Sequence, residues 1–154
     1  MSQLEFFRTK SALKADFIEP TWDKYTDKNG QIHTNILRHG ALYLEFAPGE
    51  DKVYDWTKKI GFAISFNDIP TILESFHKLR KNGELSLKLV HVPNKGKENE
   101  GKSKEISMFN GKNDGTYMIT IKTDGKSITV PMKIGDILLL EKVFQDSIKI
   151  ICGY

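Results

Sequence analysis

Residues 54–62 read YDWTKKIGF and lie between two apolar runs, LYLEFAP (42–48) and AISF (63–66). Two rings, an acid and two adjacent lysines in such a place fit an ordinary packed strand. They also fit a surface for stacked bases and phosphates. Successive side chains of a β-strand point to opposite faces, so the stretch can be counted by twos from Phe62. Ile60, Lys58, Trp56 and Tyr54 then share the side of Phe62, and Lys59, Thr57 and Asp55 take the other. On that count Tyr54 and Trp56 face the core and Lys59 faces out. A bulge near Gly61 would reverse the assignment.

Strand signals extend on the N-terminal side. KSALKADF (10–17) alternates, with Ser11, Leu13, Ala15 and Phe17 on one side and Lys10, Ala12, Lys14 and Asp16 on the other. That period marks a half-buried strand. TWDKYT (21–26) follows Pro20, DKNG (27–30) is a turn ending in glycine, and QIHTNI (31–36) leads into ALYLEFAP (41–48). KVYDWTKKIGFAIS (52–65) is the fourth strand. The period then changes. NDIPTILESFHKLRKNG (67–83) reads as a helix with an apolar stripe of Ile69, Ile72, Leu73, Phe76 and Leu79. Asn67 or Asp68 can cap it, Pro70 suits its first turn, and Gly83 suits its stop.

The layout repeats in the second half. ELSLKLVHV (84–92) alternates with Leu85, Leu87 and Leu89 inward, and PNKGKENEGK (93–102) is a polar loop. SKEISMF (103–109), TYMITIK (116–122) and SITVPM (127–132) are strands, with Asp114-Gly115 and Asp124-Gly125 at tight turns. Residues 134–154 read as a helix, apolar at 137, 140, 144, 148 and 151. The expected class is α+β: two four-stranded antiparallel sheets, each followed by a helix, in one domain with halves of 8–83 and 84–154.

The chain of 154 residues is 39% apolar and 28% charged, which suits a soluble globule. No apolar run approaches the roughly 20 residues of a membrane span. MSQLEFFRTK lacks the apolar core of a signal peptide, and Glu5 and Asp16 argue against a transit peptide, so a cytoplasmic protein is expected. A single cysteine, Cys152, excludes a disulfide framework, and the histidines at 33, 39, 77 and 91 lack metal-ligand spacing. No metal and no cofactor are expected. Residues 1–77 hold nine Lys/Arg against eleven Asp/Glu, and residues 78–154 hold fourteen against nine, so the second half is basic by five charges. A basic stripe attracts phosphate even on a nearly neutral protein.

GALYLEFAPGEDKVYDWTKKIGFAIS (40–65) resembles the Whirly single-stranded DNA-binding proteins, where a strand ending in FAP precedes YDW, basic residues and a strand reading FALS. TKSALKA (9–15) is similar to the family's lysine-flanked first strand; PTW (20–22) follows, and the last helix closes on Gly153-Tyr154. The resemblance runs from about residue 8 to 154. It implies two four-stranded sheets packed at a steep angle, helices holding a tetrameric core, and single-stranded DNA bound along the sheets with little sequence preference. The stand-alone, Lys-, Asn- and Ile-rich chain is expected to be a phage or bacterial member acting in replication, recombination or repair.

Such binding needs cations for phosphates and flat rings for bases. Lys10 and Lys14 lie opposite Leu13 and Phe17 and are expected outside. Trp22 shares a face with Lys24 and Thr26, while Tyr25 takes the other; one of the two rings is expected in the core, and the alternation does not say which. His33 and Asn35 oppose Ile32 and Ile36. Tyr43 faces away from Leu42, Leu44 and Phe46. Lys59 is the phosphate contact of the opening stretch, and Trp56 is a ring with either a core or a stacking role. On the second sheet Lys88 opposes Leu87 and Leu89, Lys122 opposes Ile119 and Ile121, and Phe109 is out of phase with Ile106 and Met108. The expected partners are single-stranded DNA and further copies of the chain. An alternative keeps the fold with RNA as ligand. A metal-dependent nuclease would have to use scattered acids such as Glu45, Asp55 and Glu105, and no nucleophile elbow or P-loop is present. A purely structural assembly protein is the fourth reading.

Overall fold

The computed structural model describes residues 4–92 and 102–152. Most of the expected loop at 93–102, and the closing Gly153-Tyr154, lie outside them. The first sheet begins with β1 (Leu4–Phe7) and β2 (Ser11–Ile18), and β2 pairs with β5 (Ala41–Glu50). The other edge of β5 carries two short strands end to end, β6 (Val53–Tyr54) and β7 (Ile60–Ile64). All pairs are antiparallel. The inward set is Leu13, Ala15, Leu42, Leu44, Phe46, Phe62 and Ile64, all nearly inaccessible.

The fourth strand is therefore broken where the sequence reading made it continuous. Asp55 accepts the Thr57 N–H at 3.1 Å and the Thr57 hydroxyl, capping a 3-10 turn over Trp56–Lys58. The turn resets the alternation. Ile60 and Phe62 pair with Phe46 and Leu44 on the buried face, whereas Tyr54 pairs with Gly49 on the outward face. Tyr54 and Trp56 are half-buried on the outside instead of joining the core. The phase does reverse, through a capped turn and not through a bulge at Gly61.

Between β2 and β5 the chain runs out as β3 (Thr21–Thr26) and β4 (Ile32–Arg38), a two-stranded ribbon separate from both sheets. It continues the β2–β5 ladder past the Ile18–Ala41 pair. With no layer behind it, Trp22 and Tyr25 are both exposed, at 47% and 48%, so neither is a core residue. The base of the arm is tight. A Cβ on Gly40 would collide with the Ile150 carbonyl oxygen and lie 2.7 Å from that of Ile18, so only glycine admits this approach. His39 Nδ1 lies 3.2 Å from the Ile151 carbonyl oxygen.

Helix α1 (Ile69–Asn82) starts with Pro70 in its first turn and stops at Gly83, whose φ is 73° and whose N–H donates to the Leu79 carbonyl. Leu73 is exposed although it was expected in the apolar stripe, because the buried side is the narrower set Ile69, Ile72, Phe76 and Leu79. The second sheet has the order β11–β10–β9–β8, from β8 (Ser86–His91), β9 (Lys104–Asn110), β10 (Thr116–Thr123) and β11 (Lys126–Lys133). Asp124 and Gly125 both take positive φ, 49° and 72°, as the tight β10–β11 turn demands. Helix α2 (Ile134–Cys152) follows directly.

Both sheets and both helices contribute to one buried cluster. Phe76 and Phe144 meet with ring centroids 5.6 Å apart, and the Arg80 guanidinium pairs with buried Glu141, joining α1 to α2. Asp68, ahead of α1, accepts the Ser65 N–H at 2.9 Å and contacts His91 Nε2 of β8 at 2.9 Å, while the His91 ring stacks on Phe62 at 4.1 Å. Arg8 Nε donates to the Pro131 carbonyl, and the same guanidinium pairs with Asp136 at 2.8 Å, pinning the first sheet to β11 and α2. Each fully buried large side chain contributes about 1.5–3 kcal/mol. Phe62→Ala is expected to lower unfolding stability by about 3–5 kcal/mol in urea melts, as other buried phenylalanine truncations do. Gly40→Ala should also destabilise, through backbone clash at the base of the arm.

Candidate nucleic-acid interface

The outward face of the first sheet gathers rings and cations. Register places Ala12 between Phe7 and Ala47, and Gly49 beside Tyr54. These small residues leave room for flat groups above them. The Tyr54 ring lies where a Gly49 Cβ would be, and it stacks on Phe7 at 5.4 Å. The Tyr54 hydroxyl donates to the Arg8 carbonyl, which fixes the ring's far end. Phe7 remains 48% exposed. One step along, the Lys14 ammonium sits 4.1 Å from the centre of the Trp56 ring, a cation–π contact. Lys14 also lies 3.9 Å from Glu5. Glu45, opposite Lys14, holds the Lys59 ammonium at 2.6 Å, and that carboxylate is the main reason the Lys59 pKa is raised.

Lys14, Tyr43, Trp56 and Lys59 thus share one surface. Tyr43 is less open than expected. Its hydroxyl lies where a Gly61 Cβ would be, so the ring is half-buried across β7. Lys10 is exposed in the turn before β2, where its carbonyl accepts the Gly49 N–H. Phe7 and Tyr54 were not among the residues singled out from sequence. Phe7 falls in β1, whose four residues are too short for periodicity, and Tyr54 was assigned to the core by the unbroken count.

The arm brings together a second group. Tyr25 pairs with His33, and Asp23 with Asn35, so Tyr25, His33 and Asn35 share a face. The Tyr25 and His33 rings stack at 5.0 Å, and His33 Nε2 lies 2.7 Å from Asp27. Trp22 is on the opposite face, beside Ile36. A third group lies on the outward face of the second sheet. Lys88, Phe109 and Lys122 are exposed there, with Met118 opposite Phe109 and Glu105 opposite Lys122. Lys88 pairs with Glu105 at 3.0 Å. The sequence-selected residues therefore occupy three surfaces, of which the first-sheet face is the richest in rings and cations together.

The three acids weighed as nuclease ligands are far apart in role. Glu45 pairs with Lys59, Asp55 caps the 3-10 turn, and Glu105 pairs with Lys88. Hydrogen bonds from Thr57 chiefly hold the Asp55 carboxyl below its usual range. Among the described residues no three His, Cys, Asp or Glu side chains are grouped to hold a metal, and no helix is long and apolar enough to cross a membrane.

Residues 6–143 match the family model described as Whirly transcription factor. Among curated proteins the chain is similar to the chloroplastic single-stranded DNA-binding protein WHY1 of Solanum tuberosum, at 25% identity over 130 residues, covering 83% of this chain and 44% of that protein. The WHY1 protein of Arabidopsis thaliana is 26% identical over 127 residues, covering 77% of this chain and 46% of its own length. The chain thus spans less than half the length of these relatives. Among solved structures, WHY3 from Arabidopsis thaliana superposes with a TM-score of 0.79 at 20% identity, covering 99% of this chain and 89% of that one. The plant transcriptional regulator PBF-2 superposes at 0.80 and 21% identity, covering 99% and 82%. The fold is shared with both.

The arm's tip has a defined pH signature. Asp27 is held below its usual 3.8 first by His33 and then by the Gln31 N–H. A depressed carboxyl stabilises the fold above its unfolded value, and that contribution is lost as pH falls through the lower folded value. Amide exchange at Asn29 and Gln31, whose N–H groups bond Asp27 at 2.8 and 2.9 Å, should speed up relative to the intrinsic rate at each pH as pH falls below about 3.8. Asp27→Ala should accelerate it at neutral pH.

Proposed function

The chain belongs to the Whirly family, and on that premise we propose that it is a non-enzymatic single-stranded DNA-binding protein with little sequence preference. The observation that supports this most is the outward face of the first sheet, where Phe7, Tyr54 and Trp56 stand beside Lys14 and Lys59. Flat rings accept any base, because every base has a π-face, and ammonium groups neutralise the linking phosphates. The relatives named as single-stranded DNA-binding proteins point the same way. The role we assign is coating strands exposed in replication, recombination or repair.

We assign it a homo-oligomeric, tetrameric state. Leu138 and Leu139 of α2 are 51% and 48% exposed, and Ile134, Leu73 and Phe66 are also exposed. Apolar side chains so concentrated on the helical side of one chain favour burial against further copies. Light scattering during gel filtration, with and without a poly-thymidine strand, tests the assembly and the binding together; a monomer that ignores the strand would overturn both.

Trp56→Ala should weaken binding to oligothymidylate by about 1–3 kcal/mol, the usual value of one base–ring stack, with a small change in melting temperature. A large loss of stability with unchanged affinity would return Trp56 to a packing role. Glu45→Gln releases Lys59 from its carboxylate and should tighten binding and steepen its salt dependence, read as the slope of log K against log salt. Competition between DNA and RNA strands of equal length separates the two ligands. Equal or tighter RNA binding would replace DNA by RNA on the same surface.

A further inference from the structure

A cleft of about 810 Å³ opens at the seam between the two sheets, where the turn leading into β7 meets the tip of the β10–β11 hairpin and the start of β9. Lys58 and Lys59 line it from the first sheet, and Lys102, Lys104 and Lys126 from the second; among the described residues Asp124 is the one carboxylate of the lining. Five cations against one acid leave the described lining at +4. Some of this charge is met nearby. Lys59 pairs with Glu45, Lys58 lies 3.9 Å from Asp55, and Lys102 lies 3.7 Å from Asp124. Two lysines are different. Lys126 makes no ion pair among the described residues. Lys104 reaches across the seam and donates to the Gly61 carbonyl at 2.8 Å. An ammonium has three protons to donate, so Lys104 is held in place with donors to spare.

Like charges crowded around one cleft repel each other, and their self-repulsion works against the compact state. The described contacts offset only part of it. An anion with several closely spaced charges would offset the rest, and phosphates meet that requirement. The cleft also joins the ring-bearing face: Lys59 lines its rim and is bonded to Glu45 on that face. We propose that the cleft takes successive phosphates of the strand whose bases stack on the first sheet, carrying that strand across the seam towards the second sheet. The proposal rests on the single-stranded DNA reading above. It makes Lys104 and Lys126 phosphate-binding residues, and it lets one protomer hold a longer strand than one face could.

The test uses the whole chain and two oligothymidylates, one short enough for a single face and one several times longer. In Lys104→Gln/Lys126→Gln, affinity for the long strand should fall about tenfold. Its salt slope should flatten by about 1.4, from two lost contacts at roughly 0.7 each for single strands. Affinity for the short strand should stay within about twofold, since only the first-sheet contacts remain in play. Lys104→Arg should bind as the wild type does. If the double variant melts early, Lys126→Gln alone, which removes no described ion pair, should still flatten the slope by about 0.7. Unchanged long-strand affinity and slope in variants of a protein that does bind would overturn the cleft and leave the DNA reading standing. A wild type that binds neither strand would overturn both. Inorganic tripolyphosphate distinguishes the source of the phosphates. If the double variant loses tripolyphosphate binding but keeps its strand affinity, the cleft serves free polyphosphate and the proposal fails.

Discussion

A three-residue turn lets one strand edge serve two faces. Asp55 closes it by accepting the Thr57 N–H and hydroxyl, and the chain re-enters the sheet at Ile60 with its alternation reset. Without that reset, Tyr54 and Trp56 would compete with Ile60 and Phe62 for the same interior. With it, Phe62 pairs with Leu44 of β5 on the buried face and stacks on His91, while Tyr54 lies against Gly49 and Trp56 beside Lys14 on the outside. The core and the ring-bearing face are thereby built from one continuous segment of chain.

Around that segment the lysines divide by partner. Lys14 is spent on the Trp56 ring and Glu5, and Lys59 on Glu45. Exposed ion pairs of this kind contribute little to stability, at about 0–1 kcal/mol each. Their consequence is positional: they hold long side chains upright beside flat rings. At the seam the partners run short, and Lys104 settles for a backbone carbonyl. The surface charge therefore passes from the compensated face of the first sheet to a cleft whose described lysines are only partly compensated.

The arm poses the opposite problem. A two-stranded ribbon is marginal in water on its own, and this one exposes Trp22, Tyr25, Ile32 and Leu37. Locally it is held by the Tyr25–His33 stack, the Asp27–His33 contact and the Asp27-centred turn. At its root it is held by the close approach of Gly40 to the last turn of α2. These contacts orient the arm relative to the body and leave both of its faces open.

Much of this was legible in the residues. Alternation in KSALKADF and ELSLKLVHV identified two strands and their inward sides, and Pro70 with Gly83 bracketed α1. The whole ββββα unit of the second half follows from period and turn residues, because each of its strands is regular from end to end. The FAP and YDW stretches carried the family. What the sequence alone could not decide was facing across the broken strand. Period two holds only while the strand is unbroken, and YDWTKKIGF contains a turn whose cap is a side-chain hydrogen bond. Nor could local pattern show that β3 and β4 leave the sheet, since a ribbon and a sheet strand alternate alike. The cleft at the seam lies further still from the linear text: Lys59, Lys104 and Lys126 come from three segments, and only the packing of two sheets makes them neighbours. Local periodicity determined the elements; the tertiary structure decided which surfaces they share, because that depends on contacts between residues far apart in the chain.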